Sequence, residues 1–159
     1  ALDKQNREKE ELKDSTQKAE LTEESLKVAL KQEIGQGLVS VEKKEDKVIV
    51  TVGAGGAFPS GTAQLTPAAK KIMSNIAEIN KKGSSTIKVT GHTDNVPLTF
   101  GSNYRDNWDL AAARASSVVQ SISKSGDIPV DRLKAISIID CLPHKRNIIS
   151  SIKKIYTKK

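Results

Sequence analysis

The sequence predicts a two-layer α/β sandwich of the α+β kind, with helices packed on one face of a mixed sheet, preceded by a helical linker. β-Branched runs at 38–41, 47–52, 86–90 and 133–138 read as strands. Two longer segments with apolar residues at helical spacing fall among them. The resulting order of strand, strand, helix, strand, helix, strand alternates as a two-layer domain requires. A length of 159 residues allows one such domain and an appendage.

Residues 1–21 are dense in Lys, Glu, Gln and Ser and have too few apolar positions to bury a face, so they read as a charged linker, helical or disordered. From Thr22 the pattern changes. Thr22 can cap a helix, Glu23 and Glu24 suit its positive end, and Leu26, Leu30 and Ile34 recur every fourth residue before Gly35 and Gly37. The charged segment Glu-Lys-Lys-Glu-Asp then separates two alternating runs as a hairpin turn.

Gly53, Gly55 and Gly56 lack the third glycine of a dinucleotide fingerprint and the Gly-Lys-Ser/Thr ending of a phosphate loop, which leaves a glycine-rich surface excursion. Thr66 caps the next helix with Pro67 at its first position. Ala69, Ile72, Met73, Ile76 and Ile79 form its buried stripe, and Gly83 ends it. The strand at 86–90 stops at Gly91, and a polar loop runs over 92–106. A second long helix starts near Asn107 or Trp108, with Asn107 as its cap, and runs to about Lys124 before Gly126 and Pro129. Trp108 packs the start of this helix against the loop.

The net charge of +7 is concentrated at one end: residues 144–159 hold six Lys or Arg and no acid, which leaves the remainder nearly neutral. The five aromatic residues form no aromatic-basic pattern for stacking bases, so no specific nucleic-acid partner is expected. A single cysteine, Cys141, excludes an internal disulfide and a thiolate metal cluster. His92 and His144 have no metal-ligand spacing, and Ser116 and Ser117 have no histidine partner, so neither a metal centre nor a cofactor nor hydrolytic catalysis is expected. No apolar run reaches the roughly 18 residues of a membrane helix. An alanine at position 1 suggests a piece of a longer chain.

The pair that invites chemistry is Asp94, beyond the third strand, and Arg114. Arg114 lies one turn from both Leu110 and Val118 on the inward face of the second helix. An inward arginine needs an acidic partner, and strand carboxyl ends are where open α/β sheets hold ligands. Asp94 and Arg114 therefore either satisfy one another or open to a ligand carrying both charges. Thr93, Asn95 and Asn107 can bond at the rim, though turn and cap roles suit them equally, and Leu110 lines either the floor or the core.

The segments GAFPSGTAQLTP, VTGHTDNVPL and NWDLAAARASSVV, in this order and spacing, resemble the OmpA-like peptidoglycan-binding domain, most closely the version in the B subunit of flagellar motor stators (MotB or PomB type). The resemblance spans about 22–140 and implies a β-α-β-α-β fold with no enzymatic activity. It also implies that Asp94 and Arg114 hold the zwitterionic diaminopimelate end of a peptidoglycan stem. Thr93, Asn95, Asn107 and Leu110 are expected around that site.

The resemblance further implies a stator A-subunit partner reached through an upstream membrane segment, a homodimer, and the periplasmic part of a single-pass inner-membrane protein as location. A peptidoglycan-associated outer-membrane protein or lipoprotein is the alternative within the fold. A nucleic-acid or acidic-surface binder using the basic tail is the alternative outside it. After Ile138 the chain departs from the family pattern. No Asn-Arg-Arg segment follows in the atypical basic tail at 141–159, where Ile152, Ile155 and Tyr156 could supply a substitute strand or helical turn.

Overall fold

In the computed structural model, the described residues are 2–93, 96–139 and 152–153. One helix, α1 (Leu2–Ala29), contains both the charged opening and the stretch after Thr22. Thr22 is not a cap: it sits inside the helix, and its hydroxyl donates to the Lys18 carbonyl at 2.9 Å. The reason is local and tertiary together. No glycine or proline interrupts 2–29, and ion pairs Lys18–Asp14 and Lys27–Glu23 at four-residue spacing support the surface. Ala19 and Leu26 are buried in the common core. A short helix, α2 (Lys31–Gly35), follows and ends at the glycine that the sequence marked.

The hairpin is β1 (Val39–Lys44) and β2 (Lys47–Val52), antiparallel, with Lys44 opposite Lys47 and Glu45 in the left-handed region at φ 57°. Alternate residues face inward, so Val48, Val50 and Val52 are buried. The glycine-rich run is not a surface excursion. It forms a single helical turn, α3 (Ala54–Ala57), and Ala57 and Phe58 beyond it are buried in the core.

Helix α4 (Pro67–Lys81) has the expected cap, with the Thr66 hydroxyl accepting from the Ala69 N–H. Ala69, Ile72, Met73 and Ile76 are buried along it, and Ile79 packs against the core from a half-buried position.

Strand β3 (Ile87–Thr93) does not stop at Gly91. It pairs in parallel with β4 (Leu133–Ile139) through Gly91↔Ser137, His92↔Ile138 and Thr93↔Ile139. Glycine is needed at 91 for another reason: a Cβ there would lie 2.3 Å from the Ala111 carbonyl oxygen of the next helix, α5 (Asn107–Gly126). Gly126 acts similarly, since its Cβ would sit 2.8 Å from that of Ala77 on α4. The left-handed residue after α5 is Asp127. A 3₁₀ turn at Val130–Arg132 leads into β4.

The last described strand, β5 (Ile152–Lys153), lies between β2 and β3 and antiparallel to both, giving the sheet order β1-β2-β5-β3-β4. Ile155 and Tyr156 lie outside the described residues. Strands β2, β3 and β4 thus run in one direction, and the connections after β2 and β3 emerge at one end of the sheet. Among the described residues, no helix is long and apolar enough to cross a membrane.

Candidate functional site

The site is built at that carboxyl end. After β2 the chain makes a closed loop over 57–66. The Thr66 N–H donates to the Ala57 carbonyl at 3.0 Å, and its hydroxyl donates to the Gly56 carbonyl at 2.5 Å. Inside the loop the Thr62 N–H and hydroxyl both donate to the Pro59 carbonyl, at 3.2 and 3.1 Å. These bonds fix where the Thr62 carbonyl points. Arg114, only 6% exposed, donates from Nε to that carbonyl at 2.8 Å. Its guanidinium carbon stands 5.1 Å from the centroid of the buried Phe58 ring, within cation–π range.

Sequence reasoning required an acid beside Arg114. Within the described residues the 57–66 loop supplies it with an amide carbonyl and an aromatic face. Asp94 and Asn95 lie outside the described residues. A backbone carbonyl has no residue-type signature, so Thr62 could not have been found by composition. Phe58 carried a faint signal as the lone aromatic residue in the glycine-rich segment.

The remaining candidates fall into two groups. Thr93 is buried, and its hydroxyl donates to the Asn107 carbonyl at 3.3 Å, tying the end of β3 to the start of α5. Asn107 is not the helix cap. That role belongs to Asp106, whose carboxylate accepts from the Asp109 N–H at 2.8 Å. Asn107 instead donates from Nδ2 to the Val96 carbonyl at 2.7 Å, pinning the loop that follows β3. Leu110 is buried, yet it stands apart from the contiguous core cluster. Trp108, at the start of the helix, leaves 55% of its surface exposed.

Asp109 is held below its ordinary carboxylate value, first by the Arg105 N–H and then by the Arg105 side chain. No cluster of metal-ligating side chains occurs among the described residues. The site as built is a preset guanidinium, with its plane oriented by a ring and a carbonyl. It suits a planar anion such as a carboxylate.

The profile of the OmpA family matches residues 57–140, which is more than half of the chain and holds every element of this site. An uncharacterized protein of Bacillus subtilis, YtxE, is 29% identical over 109 residues, covering 69% of this chain and 45% of that protein. Motility protein B of Escherichia coli K12 is 30% identical over 69 residues, covering 43% of this chain and 22% of that protein. This chain thus spans less than half the length of the curated relatives it matches.

Among solved structures, a putative MotB-like protein from Desulfovibrio vulgaris superimposes with a TM-score of 0.78 at 17% identity, covering 93% of this chain and 96% of that one. The cell wall anchor of the type VI secretion system from Pseudomonas aeruginosa gives 0.70 at 25% identity, covering 84% and 97%. The fold, the order of its motifs and the matched profile agree: this chain belongs to the OmpA family.

Proposed function

We propose that this chain is a non-enzymatic peptidoglycan-binding domain that anchors a flagellar stator unit of the MotB type to the cell wall. In this reading it is the periplasmic part of a single-pass inner-membrane protein. It works as a homodimer beside a stator A subunit, which the membrane segment contacts. The observation that carries the reading is the preset Arg114, buried to 6% exposure and oriented by Thr62 and Phe58. A guanidinium held this way forfeits little conformational freedom on binding a carboxylate.

Arg114 takes the carboxylate of the diaminopimelate end, and Asp94 takes its ammonium, with Thr93, Asn95, Asn107 and Leu110 as the surrounding wall. Each charge-assisted contact contributes about 1.5–3 kcal/mol net. One site therefore binds weakly, and firm anchoring comes from several sites engaging the wall together. The motility proteins and the cell wall anchor that share this sequence pattern or fold support the assignment.

Co-sedimentation with purified sacculi tests it, using the parent chain beside Asp94→Asn and Arg114→Gln variants whose folding is checked by circular dichroism. The expected result is binding by the parent and at least about tenfold weaker binding by each variant. Undiminished binding by both folded variants would sink the charge-pair mechanism.

A further inference from the structure

The buried side chains of the sheet form one cluster with those of α1, α4 and α5, so they define the face that the helices cover. Strand alternation puts the intervening residues on the other face. Ile49, Ile136 and Ile138 lie there, and none of them belongs to that cluster.

Lysines collect on this second face at one end. The strand register sets Lys44 directly opposite Lys47 across β1 and β2, and Lys88 directly opposite Lys134 across β3 and β4. Thr51 and Thr90 both stand opposite Lys153, which makes Ile49 level with Lys88 and puts Lys47 one pleat below it. One strand separates β2 from β3, so the two pairs lie about 10 Å apart across the sheet. Lys44 and Lys134 are exposed, and Lys47 and Lys88 are half-buried. Glu42 is the acid that the described strands place on this face. Of the acids in the adjoining turns, Glu45, Asp46 and Asp131, Asp46 lines the groove beside α1.

Like charges in directly opposed positions repel. Edge strands use lysine to block the addition of further strands, which accounts for Lys44 and Lys134 but not for the inner Lys47 and Lys88 that face them. The band therefore suits an anionic partner better than it suits the fold alone.

Its position and chemistry indicate which partner. The band lies at the amino ends of β2, β3 and β4, opposite the Arg114 site. The first half of α1 lies beside the same end, because Glu8 and Leu12 line one groove with Asp46 and residues 82–85. In the stator reading, on which this inference rests, the membrane lies upstream of α1, so this end turns to the bilayer when the Arg114 end turns to the wall. The described strands hold no Arg, Phe, Tyr or Trp, so the face lacks the fork for bidentate phosphate recognition and the rings for stacking bases.

We propose that Lys44, Lys47, Lys88 and Lys134 form a docking band for the headgroups of an anionic phospholipid bilayer. Each lysine brought against such a surface tightens binding about fivefold, and the attraction fades within a Debye length of about 10 Å at 0.1 M salt. Such a contact is short-ranged and reversible.

The probes are vesicles of phosphatidylcholine alone and of phosphatidylcholine and phosphatidylglycerol in equal parts, co-sedimented with the parent chain at low salt. The chain should sediment with the mixed vesicles only, and salt should release it. Lys44→Gln and Lys134→Gln should each weaken that binding about fivefold, and their combination about 25-fold. Lys70→Gln, at the start of α4, should leave it unchanged. Because the two substitutions remove like-charge pairs, urea midpoints should stay at or above the parent value, which separates lost binding from lost folding.

Absence of charge-dependent sedimentation would overturn the band. Undiminished binding by the folded double variant would assign the attraction to other lysines, the basic tail among them, and overturn it equally. Lysine-dependent binding of inorganic polyphosphate without vesicle binding would transfer the band to a soluble polyanion and overturn the lipid assignment. Sedimentation with sacculi tests the wall reading separately: sacculus binding without vesicle binding sinks the band alone. Vesicle binding that the double variant loses, with no sacculus binding, sinks the wall reading and sustains the lipid contact.

Discussion

Replacing Arg114 by lysine would keep its charge and remove everything else that the structure uses. The Nε–H bond to the Thr62 carbonyl at 2.8 Å would disappear, as would the planar stack on Phe58. A lysine ammonium could reach one acceptor but could not present two parallel donors to a carboxylate. We expect Arg114→Lys to lower stability by about 1–2 kcal/mol, from the orphaned carbonyl and poorer packing, and to weaken binding to sacculi about tenfold or more. Urea midpoints and sedimentation isotherms measure the two effects separately. Stability and binding both at parent level would show that charge alone suffices.

The inward position of Arg114 was legible from its one-turn spacing to Leu110 and Val118. Its contact with the Thr62 carbonyl was not, because a carbonyl acceptor looks the same whatever residue bears it. The cap at Asp106 was missed for a related reason, since neighbouring Asp and Asn residues compete for one cap and only backbone geometry decides between them.

At the scale of elements, close approach explains most of what the sequence left ambiguous. Gly91 reads as a strand terminator in isolation, yet it sits within β3 because α5 crosses there. A methyl at 91 would meet the Ala111 carbonyl oxygen at 2.3 Å and the Ala115 Cβ at 3.3 Å, both carried by the helix rather than by a flexible side chain. Gly91→Ala should therefore destabilise the domain by about 3 kcal/mol through displacement of α5. An unchanged urea midpoint would contradict this contact.

The join between α2 and α4 is electrostatic. Glu33 is buried, with its carboxylate 3.1 Å from Lys71 Nζ. Its pKa is held below the ordinary 4.5, first by its own backbone N–H and then by Lys71. A lowered carboxylate pKa means that the unfolded chain takes up the proton first as pH falls. The stabilisation is thus complete above the ordinary value and is lost as pH falls through the lowered one. Glu33→Gln should cost about 1 kcal/mol at pH 7, discounted because Lys71 is mostly exposed. The difference should vanish at the acid end of a urea-midpoint series against pH. A gap that persisted there would mean that the cost is steric.

At the scale of the whole molecule, the alternation of strands and helices fixes the two layers. The position of the last strand required the structure: β5 enters between β2 and β3 rather than at an edge. The isoleucines and lysines of the tail suit a strand or a helical turn equally, and only the gap between two parallel strands selects one.

The opening helix poses the larger question of where the domain begins. Helix α1 spans 28 residues, about 42 Å. Residues 2–14 along it are exposed throughout, and Ala19 is the first buried side chain. A groove of ≈ 670 Å³ separates this part of the helix from the loop at 82–85, at the end of the sheet opposite Arg114. We therefore expect deletion of residues 1–14 to change stability by less than about 0.5 kcal/mol. Deletion of residues 1–29 should cost about 3 kcal/mol or more, because Leu26 and the contact made by Ala19 are lost from the core.

Amide exchange supplies the independent measurement, since a helix of this length without tertiary cover is marginal in water. Amides at 5–14 should exchange orders of magnitude faster than those at 20–29. Equal protection along the whole helix, with a large cost for the shorter deletion, would place the beginning of the domain at the first residues rather than near Ser15.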